Sequence, residues 1–165
     1  IRKKNRKKLI NKLRKIFIKL LSNLKNPNNT FVHRDFHVSN LMMVKNEIGV
    51  IDSQDALIGN KAYDLASLID DVRFKTSIKL KKKVFDLYLH SHKKLNKNYF
   101  LNDFEIISVL RNLKIIGIFT RLAYRDNKRK YLKLIPHAWS LIKLRSKNND
   151  KFRELNSLLN IFKNF

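Results

Sequence analysis

The chain has 165 residues, 44% of them hydrophobic, which is enough for one domain with a sizeable core. It has no cysteine and no apolar run that could cross a bilayer, so disulfide frameworks and thiol chemistry are excluded, and we expect a cytoplasmic protein without a membrane partner. Lys and Arg total 37 against 13 Asp and Glu, a formal net charge of +24 spread along the whole chain.

The first predicted element is an amphipathic helix over residues 5–24. Such a helix can lie on a membrane surface or pack on the rest of the domain, and packing is the expectation. The sequence Asn26-Pro27-Asn28-Asn29 then turns the chain. The apolar side of the helix recurs at three- and four-residue steps and consists of Leu9, Leu13, Ile16, Phe17, Leu20 and Leu24.

Oxygen-bearing side chains follow in the segments VHRDFHVSNLMMV and IGVIDSQDA. Asp35 comes after His33-Arg34, Asn40 lies five residues later, and Asp52 follows two short apolar runs. This order is that of the H-R-D-x-x-x-x-N loop and the metal-binding Asp of phosphoryl-transfer sites. Asp35 can accept the proton of an attacking hydroxyl, and the oxygens of Asn40 and Asp52 suit Mg²⁺. We therefore predict a site that uses ATP and Mg²⁺.

A hairpin is predicted between the two metal-binding candidates. The apolar runs 41–44 and 48–51 are joined by the short turn Lys45-Asn46-Glu47. Because a hairpin returns the chain, Asn40 and Asp52 are expected to end side by side.

The same segment permits a second interpretation, a metal site made by His33, Asp35 and His37. These are alternate residues, which point the same way in an extended strand. The next fifty residues offer no further His or Cys, and Asn40 and Asp52 would have no role. Each of these residues alone would be an ordinary turn or cap residue, so their joint spacing carries the preference for phosphoryl transfer.

The remaining chain is predicted to be helical. Asn102 with Glu105 resembles a capping pair that opens a long helix, Pro136 suits a first helical turn, and Asp150 can cap the last helix. Helices are expected over residues 62–73, 76–95, from 102 into 121–126, over 135–145, and around the apolar Leu155, Leu158, Leu159 and Phe162.

Residues 31–71 resemble the aminoglycoside phosphotransferase and choline kinase group of small-molecule kinases. The segments IGVIDSQDALIGNKAYDLASLIDD and IGIFTRLAYRDNKRKYL look most like bacterial anomeric kinases of N-acetylmuramate and N-acetylglucosamine. The resemblance implies an α+β, mostly helical fold, the C-terminal lobe of a protein-kinase-like protein with a small β-hairpin. It also implies a single domain, with a helix and linker at 1–30, the catalytic and metal-binding core at 31–71, and a helical substrate-side subdomain at 72–165.

Carried over residue by residue, the resemblance implies that Asp35 is the catalytic base and that Asn40 and Asp52 bind the nucleotide-associated Mg²⁺. It implies that Asp64 braces the catalytic loop from the start of a helix, and that His33 packs beneath this loop. A carboxylate in the first turn of a helix also has a structural role, because it complements the helix dipole.

The resemblance implies that the arginine-rich end of the long helix approaches the sugar site, and His37 could equally face the substrate. Arg121 and Arg125 are candidates for binding a carboxylate or phosphate. The alternative for both arginines is a cationic helix C-terminus that complements the dipole. For His37 the alternative is a structural role in the loop.

Two departures from the pattern stand out. Ser53 follows Asp52 where the group usually carries an aromatic residue, so we expect looser packing there. The thirty-two residues before His33 contain no glycine, whereas a kinase needs a Gly-rich loop and a strand lysine over the phosphates. We therefore expect the nucleotide-binding N-lobe to be absent from this sequence, and this polypeptide by itself to be inactive.

The expected function is ATP-dependent phosphorylation of a small-molecule hydroxyl, as in cell-wall recycling, with the anomeric hydroxyl of an amino sugar as the first choice. A kinase for an aminoglycoside or a choline-like alcohol is an alternative, as is a truncated, non-catalytic remnant. The positive charge also permits a basic binding module. Because the abundant Lys, Asn and Ile are favoured by A/T-rich codons, we predict no dedicated nucleic-acid partner, only weak nonspecific binding at low salt.

Overall fold

The computed structural model describes the backbone of residues 3–160 and the side chains of residues 6–160. Short 3-10 turns at Val38–Asn40, Arg129–Leu134 and Asp150–Phe152 join some of its elements. The predicted mostly helical α+β class is confirmed. In chain order the described part contains α1 (Lys3–Ser22), β1 (Thr30–Val32), β2 (Leu41–Val44), β3 (Glu47–Val50), β4 (Leu57–Gly59), α2 (Ala62–Ile69), α3 (Ile78–Ser91), α4 (Lys97–Tyr124), α5 (Ile135–Ser146) and α6 (Arg153–Asn160).

Helix α1 packs its apolar side on the other helices, as its periodicity predicts. Ile16 and Leu20 are buried, while the lysines along the opposite side are exposed. Among the helices described from residue 3 to residue 160, none has a stretch long and apolar enough to cross a membrane. The cluster that receives α1 consists of Ile106, Val109, Ile142, Phe152, Leu155 and Leu158.

The strands form two separate antiparallel pairs. β1 pairs with β4, and β2 pairs with β3 in the register Leu41↔Val50 to Val44↔Glu47. Lys45 and Asn46 between β2 and β3 have φ of 48° and 69°, the type I′ turn whose twist matches a two-residue hairpin. The predicted hairpin is confirmed, with a turn one residue shorter than expected because Glu47 joins β3.

Helix α4 is the central element, because α1, α2 and α5 all pack against it. A helix that is covered on several sides carries apolar residues around most of its circumference. Its buried positions accordingly include Phe100, Phe104, Ile106, Val109, Ile115 and Phe119.

The predicted start of α4 is wrong. Asn96 is the N-cap, and its Oδ1 accepts a hydrogen bond from Tyr99 N at 3.1 Å. Asn102 and Glu105 lie inside the helix, where Asn102 Nδ2 donates to Asn23 O and Glu105 pairs with Lys151. A capping residue and a polar residue that binds a distant carbonyl look alike in sequence, so the local pattern could not separate Asn96 from Asn102.

Other helix boundaries differ by a few residues. α2 ends at Ile69 rather than at residue 73, and α3 begins after Ser77, whose hydroxyl accepts from Leu80 N. Pro136 lies in the first turn of α5, as predicted. Asp150 opens the 3-10 turn before α6 rather than α6 itself, and Phe162 lies outside the described residues.

The loops that flank the strands are attached to α4 by Asp103, which is fully buried. Its carboxylate accepts the backbone amides of Lys25 and Asn26 at 2.7 and 2.8 Å, and the Nδ2 of Asn60 at 3.0 Å. Burial alone would raise the pKa of Asp103, but these donors outweigh it and hold the pKa below its ordinary value. The chain before β1 and the chain before α2 are therefore fixed to the same point on α4.

Candidate active site

The segment that follows β1 is held by Asp64 in the first turn of α2. Asp64 Oδ2 accepts from His33 N at 2.7 Å, and Oδ1 accepts from Arg34 N at 3.0 Å. Arg34 has a φ of 74°, a left-handed conformation that costs a non-glycine residue about 1–3 kcal/mol and that surrounding contacts must maintain. The two hydrogen bonds from consecutive amides supply such contacts, immediately before Asp35.

Residues 35–40 close on themselves through the carbonyl of Asp35. Asp35 O accepts from His37 N and from Asn40 Nδ2, both at 3.0 Å. With its amide nitrogen bound in this way, Asn40 keeps its amide oxygen free of hydrogen bonds within the described residues. The side chain of Asp35 is exposed and that of Asn40 is half-buried. The loop thus fixes its backbone and leaves the two side-chain oxygen groups available.

Asp52 joins this loop through the hairpin. Ile51 N donates to Asn40 O at 3.1 Å, which continues the pairing of β2 and β3 by one residue and places Asp52 beside Asn40 along the backbone. His33 is buried, and its Nε2 lies 3.0 Å from Ile51 O. Asp52 itself is exposed and has a φ of 69°. One hydrogen-bonded unit therefore carries Asp35, Asn40 and Asp52.

The turn after Asp52 is held by a hydrogen bond from Arg34, which precedes Asp35. Ser53 is exposed, so it does not pack behind Asp52 as an aromatic residue would. Arg34 Nη1 instead donates to Asp55 O at 3.1 Å. A side-chain to backbone contact thus connects the segments before Asp35 and after Asp52.

The side-chain oxygens of Asn40 and Asp52 are of the type that binds Mg²⁺. An amide oxygen and a carboxylate are hard ligands, and Mg²⁺ commonly takes only one or two protein ligands and completes its shell with phosphate and water. The histidine alternative has no support in the structure. His33 uses its Nε2 on Ile51, and no group of three or more His, Asp or Glu side chains that could hold a metal occurs between residues 6 and 160.

A second charged group combines Asp35 and His37 with three residues that the sequence analysis did not single out, Asp71, Arg73 and Arg111. The charges of Arg73, Asp71, Asp35 and Arg111 all act on the pKa of His37, and we call these five side chains the His37 cluster. Burial chiefly, with a contribution from Arg73, lowers the pKa of His37 below its ordinary value. Burial likewise lowers the pKa of Arg111, against the opposing effects of Tyr63 and Asp71. A charged residue within the apolar stretch ISVLRNLKIIGIF of α4 was the available signal.

The arginines predicted from the end of α4 lie elsewhere. Arg121 and Arg125 are exposed, and Arg125 Nε and Nη2 donate to Asp126 at 2.6 and 3.1 Å. Arg121 is ten residues beyond Arg111, about 15 Å along the helix axis at 1.5 Å per residue. A substrate role for Arg121 and Arg125 stays a prediction, as does their alternative role at the helix C-terminus.

The known proteins that this chain resembles in sequence are named as kinases. The chain is 37% identical over 138 residues to an N-acetylmuramate/N-acetylglucosamine kinase of Neisseria meningitidis, which covers 78% of this chain and 40% of the relative. Proteins of the same name from Caulobacter vibrioides and Pseudomonas aeruginosa are 34% identical over 114 residues and 32% identical over 145 residues, covering 66% and 78% of this chain. The chain spans 31 to 40% of the length of these three relatives.

The sequence model of the phosphotransferase enzyme family matches residues 2–96. That range is more than half of the chain and contains the whole loop and hairpin unit, together with Asp64 and Asp71. The chain belongs to the phosphotransferase enzyme family.

Proposed function

We propose that the chain is part of an ATP-dependent phosphotransferase that acts on a small-molecule hydroxyl, with the anomeric hydroxyl of an amino sugar as the acceptor. The observation that carries the proposal is the hydrogen-bonded unit in which Asn40 binds the carbonyl of Asp35 and the hairpin places Asp52 beside Asn40. The names of the relatives support N-acetylmuramate or N-acetylglucosamine as the sugar.

In this proposal Asp35 accepts the proton of the acceptor hydroxyl. Its carboxylate is exposed while its backbone carbonyl is held by two hydrogen bonds, so the base is both accessible and fixed. A positioned general base typically contributes about 10²- to 10⁴-fold to a rate. Asn40 and Asp52 would hold Mg²⁺ through their side-chain oxygens. Bound MgATP would supply the phosphoryl group and neutralise the charge that develops as it is transferred.

The remaining residues of this unit have positioning roles in the proposal. Asp64 fixes the backbone before Asp35, and His33 fixes the backbone before Asp52. Neither needs to touch a substrate. Asp64 accepts hydrogen bonds from two backbone amides. Replacing Asp64 by Asn would turn one of these acceptor oxygens into an NH₂ donor that faces a backbone N–H, so both kcat and stability are expected to fall.

We also propose that this chain corresponds to the C-terminal lobe of a kinase-like fold, as one domain with its catalytic core at 31–71 and its substrate side at 72–165. The central α4, the helices around it and the hairpin that carries the predicted Mg²⁺ ligands support this assignment. We infer a cytoplasmic location, which the absence of cysteine suits.

The test uses the full-length protein with ATP and Mg²⁺ and a panel of acceptors that contains N-acetylglucosamine, N-acetylmuramate, an aminoglycoside and choline. We expect phosphate on the anomeric oxygen of an amino sugar. Asp35→Asn is expected to lower kcat by about 10³-fold with little change in melting temperature, because the side chain is exposed and only its backbone is bonded.

Asp55→Asn is the matched control, since it makes the same change at an exposed carboxylate whose backbone, not its side chain, contacts Arg34. It should retain the parental kcat. An Asp35→Asn variant with the parental rate would refute the proposed base. A parental protein that binds a ligand of the panel but phosphorylates none of them would favour the non-catalytic binding module.

A further inference from the structure

We propose that Asp71 and Arg111 hold the acceptor sugar beside Asp35 and determine which acceptors are used. The proposal rests on the proposed phosphotransferase function and deepens it. In it, Asp71 accepts a hydrogen bond from a substrate hydroxyl, and Arg111 donates to a substrate oxygen. The site therefore selects a polyhydroxylated acceptor over one with a single hydroxyl.

Asp71 is buried with one of its two oxygens unused. Its side chain is 1% exposed. Oδ1 accepts from Arg73 N at 3.0 Å and lies 3.5 Å from Arg73 Nη1. Oδ2 has no hydrogen-bond partner within the described part of the chain. Buried polar atoms in folded proteins are nearly always bonded, so an open carboxylate oxygen indicates a partner that is not part of the polypeptide.

Arg111 is the complementary case, a buried hydrogen-bond donor without an acceptor among the described residues. It is 6% exposed, and its Nη1 finds no acceptor among the described residues. Burial lowers its pKa, but a guanidinium keeps its charge in proteins, so Nη1 remains a donor. The charges of Asp71, Arg73 and Asp35 all act on Arg111, which places it in the same cluster as the proposed base.

Three of the unpaired buried atoms belong to the cluster that contains Asp35. Among residues 6–160, eight buried side-chain polar atoms lack a partner, and three of them, Asp71 Oδ2, Arg111 Nη1 and His37 Nδ1, belong to this one cluster. An acceptor oxygen, a donor and an imidazole nitrogen together match the vicinal hydroxyl and carbonyl oxygens of a sugar. A site built on such bonds rejects ligands that would leave its buried groups unpaired.

The cluster also discriminates by chemistry. Arg111 Nη1 needs an acceptor, which a hydroxyl, carbonyl or carboxylate oxygen provides and a quaternary ammonium group does not. Choline carries a single hydroxyl, the one that reacts, and would leave Asp71 Oδ2 open as well. A sugar with several hydroxyls can satisfy both atoms, and a carboxylate on the sugar would pair with the arginine directly.

The experiment compares Arg111→Lys and Asp71→Asn with the parent in the full-length protein. Arg111→Lys keeps the charge but removes the guanidinium geometry, and Asp71→Asn keeps Oδ1 while it replaces an acceptor by a donor. Calorimetric titration with N-acetylglucosamine in the absence of nucleotide should show a Kd raised by about tenfold or more, and the KM for the sugar should rise equally. The KM for ATP should stay unchanged.

Arg145→Lys is the matched control, because Arg145 is a mostly buried arginine on α5 that pairs with Asp70 and has no part in the proposed site. It is expected to lower the melting temperature and to leave the Kd for the sugar unchanged. If Arg111→Lys loses its cooperative melting transition, Asp71→Asn decides the question.

Each outcome separates this inference from the proposed function. A parent that phosphorylates an amino sugar, with both variants folded and binding it as the parent does, would refute the roles of Asp71 and Arg111 and leave phosphoryl transfer intact. A parent that prefers choline would refute the selectivity alone. Failure of the proposed function would appear in the parent itself, as absence of transfer to every acceptor, or in an Asp35→Asn variant of undiminished rate.

Discussion

Asp70 and Asp71 are neighbours in the chain and are buried to the same extent, 0% and 1% exposed, yet their carboxylates have opposite surroundings. Asp70 Oδ2 accepts from Ser108 Oγ at 2.6 Å and Arg145 Nε at 2.8 Å. Its Oδ1 accepts from Arg145 Nη2 at 3.1 Å and Lys81 Nζ at 3.2 Å. Asp71 has Arg73 on one oxygen and no partner, among the described residues, on the other.

The difference distinguishes a structural site from a candidate binding site. A buried charge is costly unless it is paired and its remaining hydrogen-bonding positions are filled. Asp70 meets that requirement with groups from α3, α4 and α5, so it joins these helices at the end of α2. Asp71 meets it only in part, at a position adjoining the loop of Asp35. Burial is equal at the two residues, and the count of hydrogen-bond partners separates them.

The largest expected effect tests the structural half of this comparison. Asp70→Asn leaves Arg145 and Lys81 as buried cations without their counter-charge, and such a change typically costs about 3–5 kcal/mol of the free energy of unfolding. Asp71→Asn retains the acceptor for Arg73 N and should cost about 1 kcal/mol or less. Denaturant unfolding of the two variants measures both values. Equal destabilisation by the two substitutions would refute the distinction between Asp70 and Asp71.

Asp70 should also make the free energy of unfolding depend on pH in acid. Burial favours the neutral form of Asp70, but Arg145, Lys81 and Ser108 outweigh it and hold the pKa of Asp70 below its ordinary value. A carboxyl whose pKa is lower in the folded state contributes stability above the pKa of the unfolded chain and loses it as the pH falls through the folded value. The parent should therefore lose stability at acid pH more steeply than Asp70→Asn does.

A second, smaller effect is expected at Asp103, another buried carboxylate that is fully supplied with donors. Asp103→Asn would set an amide donor against the amides of Lys25, Asn26 and Asn60, at a cost of about 2 kcal/mol. Asp86→Asn on the exposed side of α3 is the control and should change stability by no more than about 0.5 kcal/mol. A loss at Asp103 no greater than at Asp86 would show that its donors find other partners.

The parts of the fold that sequence predicts are those set by local interactions. The periodicity of α1, Pro136 in α5 and the two apolar runs of the hairpin each act within a few residues. The end of α2 could not be placed, because the chain leaves the helix where Asp70 meets groups up to 75 residues away. The start of α4 was misplaced because Asn102 resembles a cap and instead binds the carbonyl of Asn23.

The candidate site also has a part that local interactions make predictable and a part that depends on helix packing. Asp35, Asn40 and Asp52 form a recognisable motif because the hydrogen bonds that assemble them span fewer than about twenty residues and follow a hairpin. Asp71 and Arg111 are forty residues apart, and the packing of α2 on α4 brings their charges together. No spacing rule connects them. Arg111, one of two charged residues in the stretch ISVLRNLKIIGIF, was the trace of that cluster in the sequence.

The smallest effect tests the comparison at His37, whose pKa is influenced by the charge of Asp71. Burial and Arg73 lower the pKa of His37, whereas Asp71 and Asp35 raise it. Arg73→Gln should therefore raise the pKa of His37 toward its ordinary value, and Asp71→Asn should lower it further. Titration of the imidazole signals by NMR measures both, with His37→Gln to identify the resonance among the five histidines.

The sign of the accompanying stability change follows from linkage. Because the folded pKa of His37 is lowered, its contribution is present above the unfolded pKa near 6.5 and is lost as the pH falls through the folded value. Arg73→Gln brings the folded and unfolded pKa values closer, so the acid loss that belongs to His37 should shrink, while the larger loss from Asp70 remains. If neither substitution moves the pKa of His37, the five charged side chains do not share one cluster, and the open oxygen of Asp71 would have to be explained without Asp35.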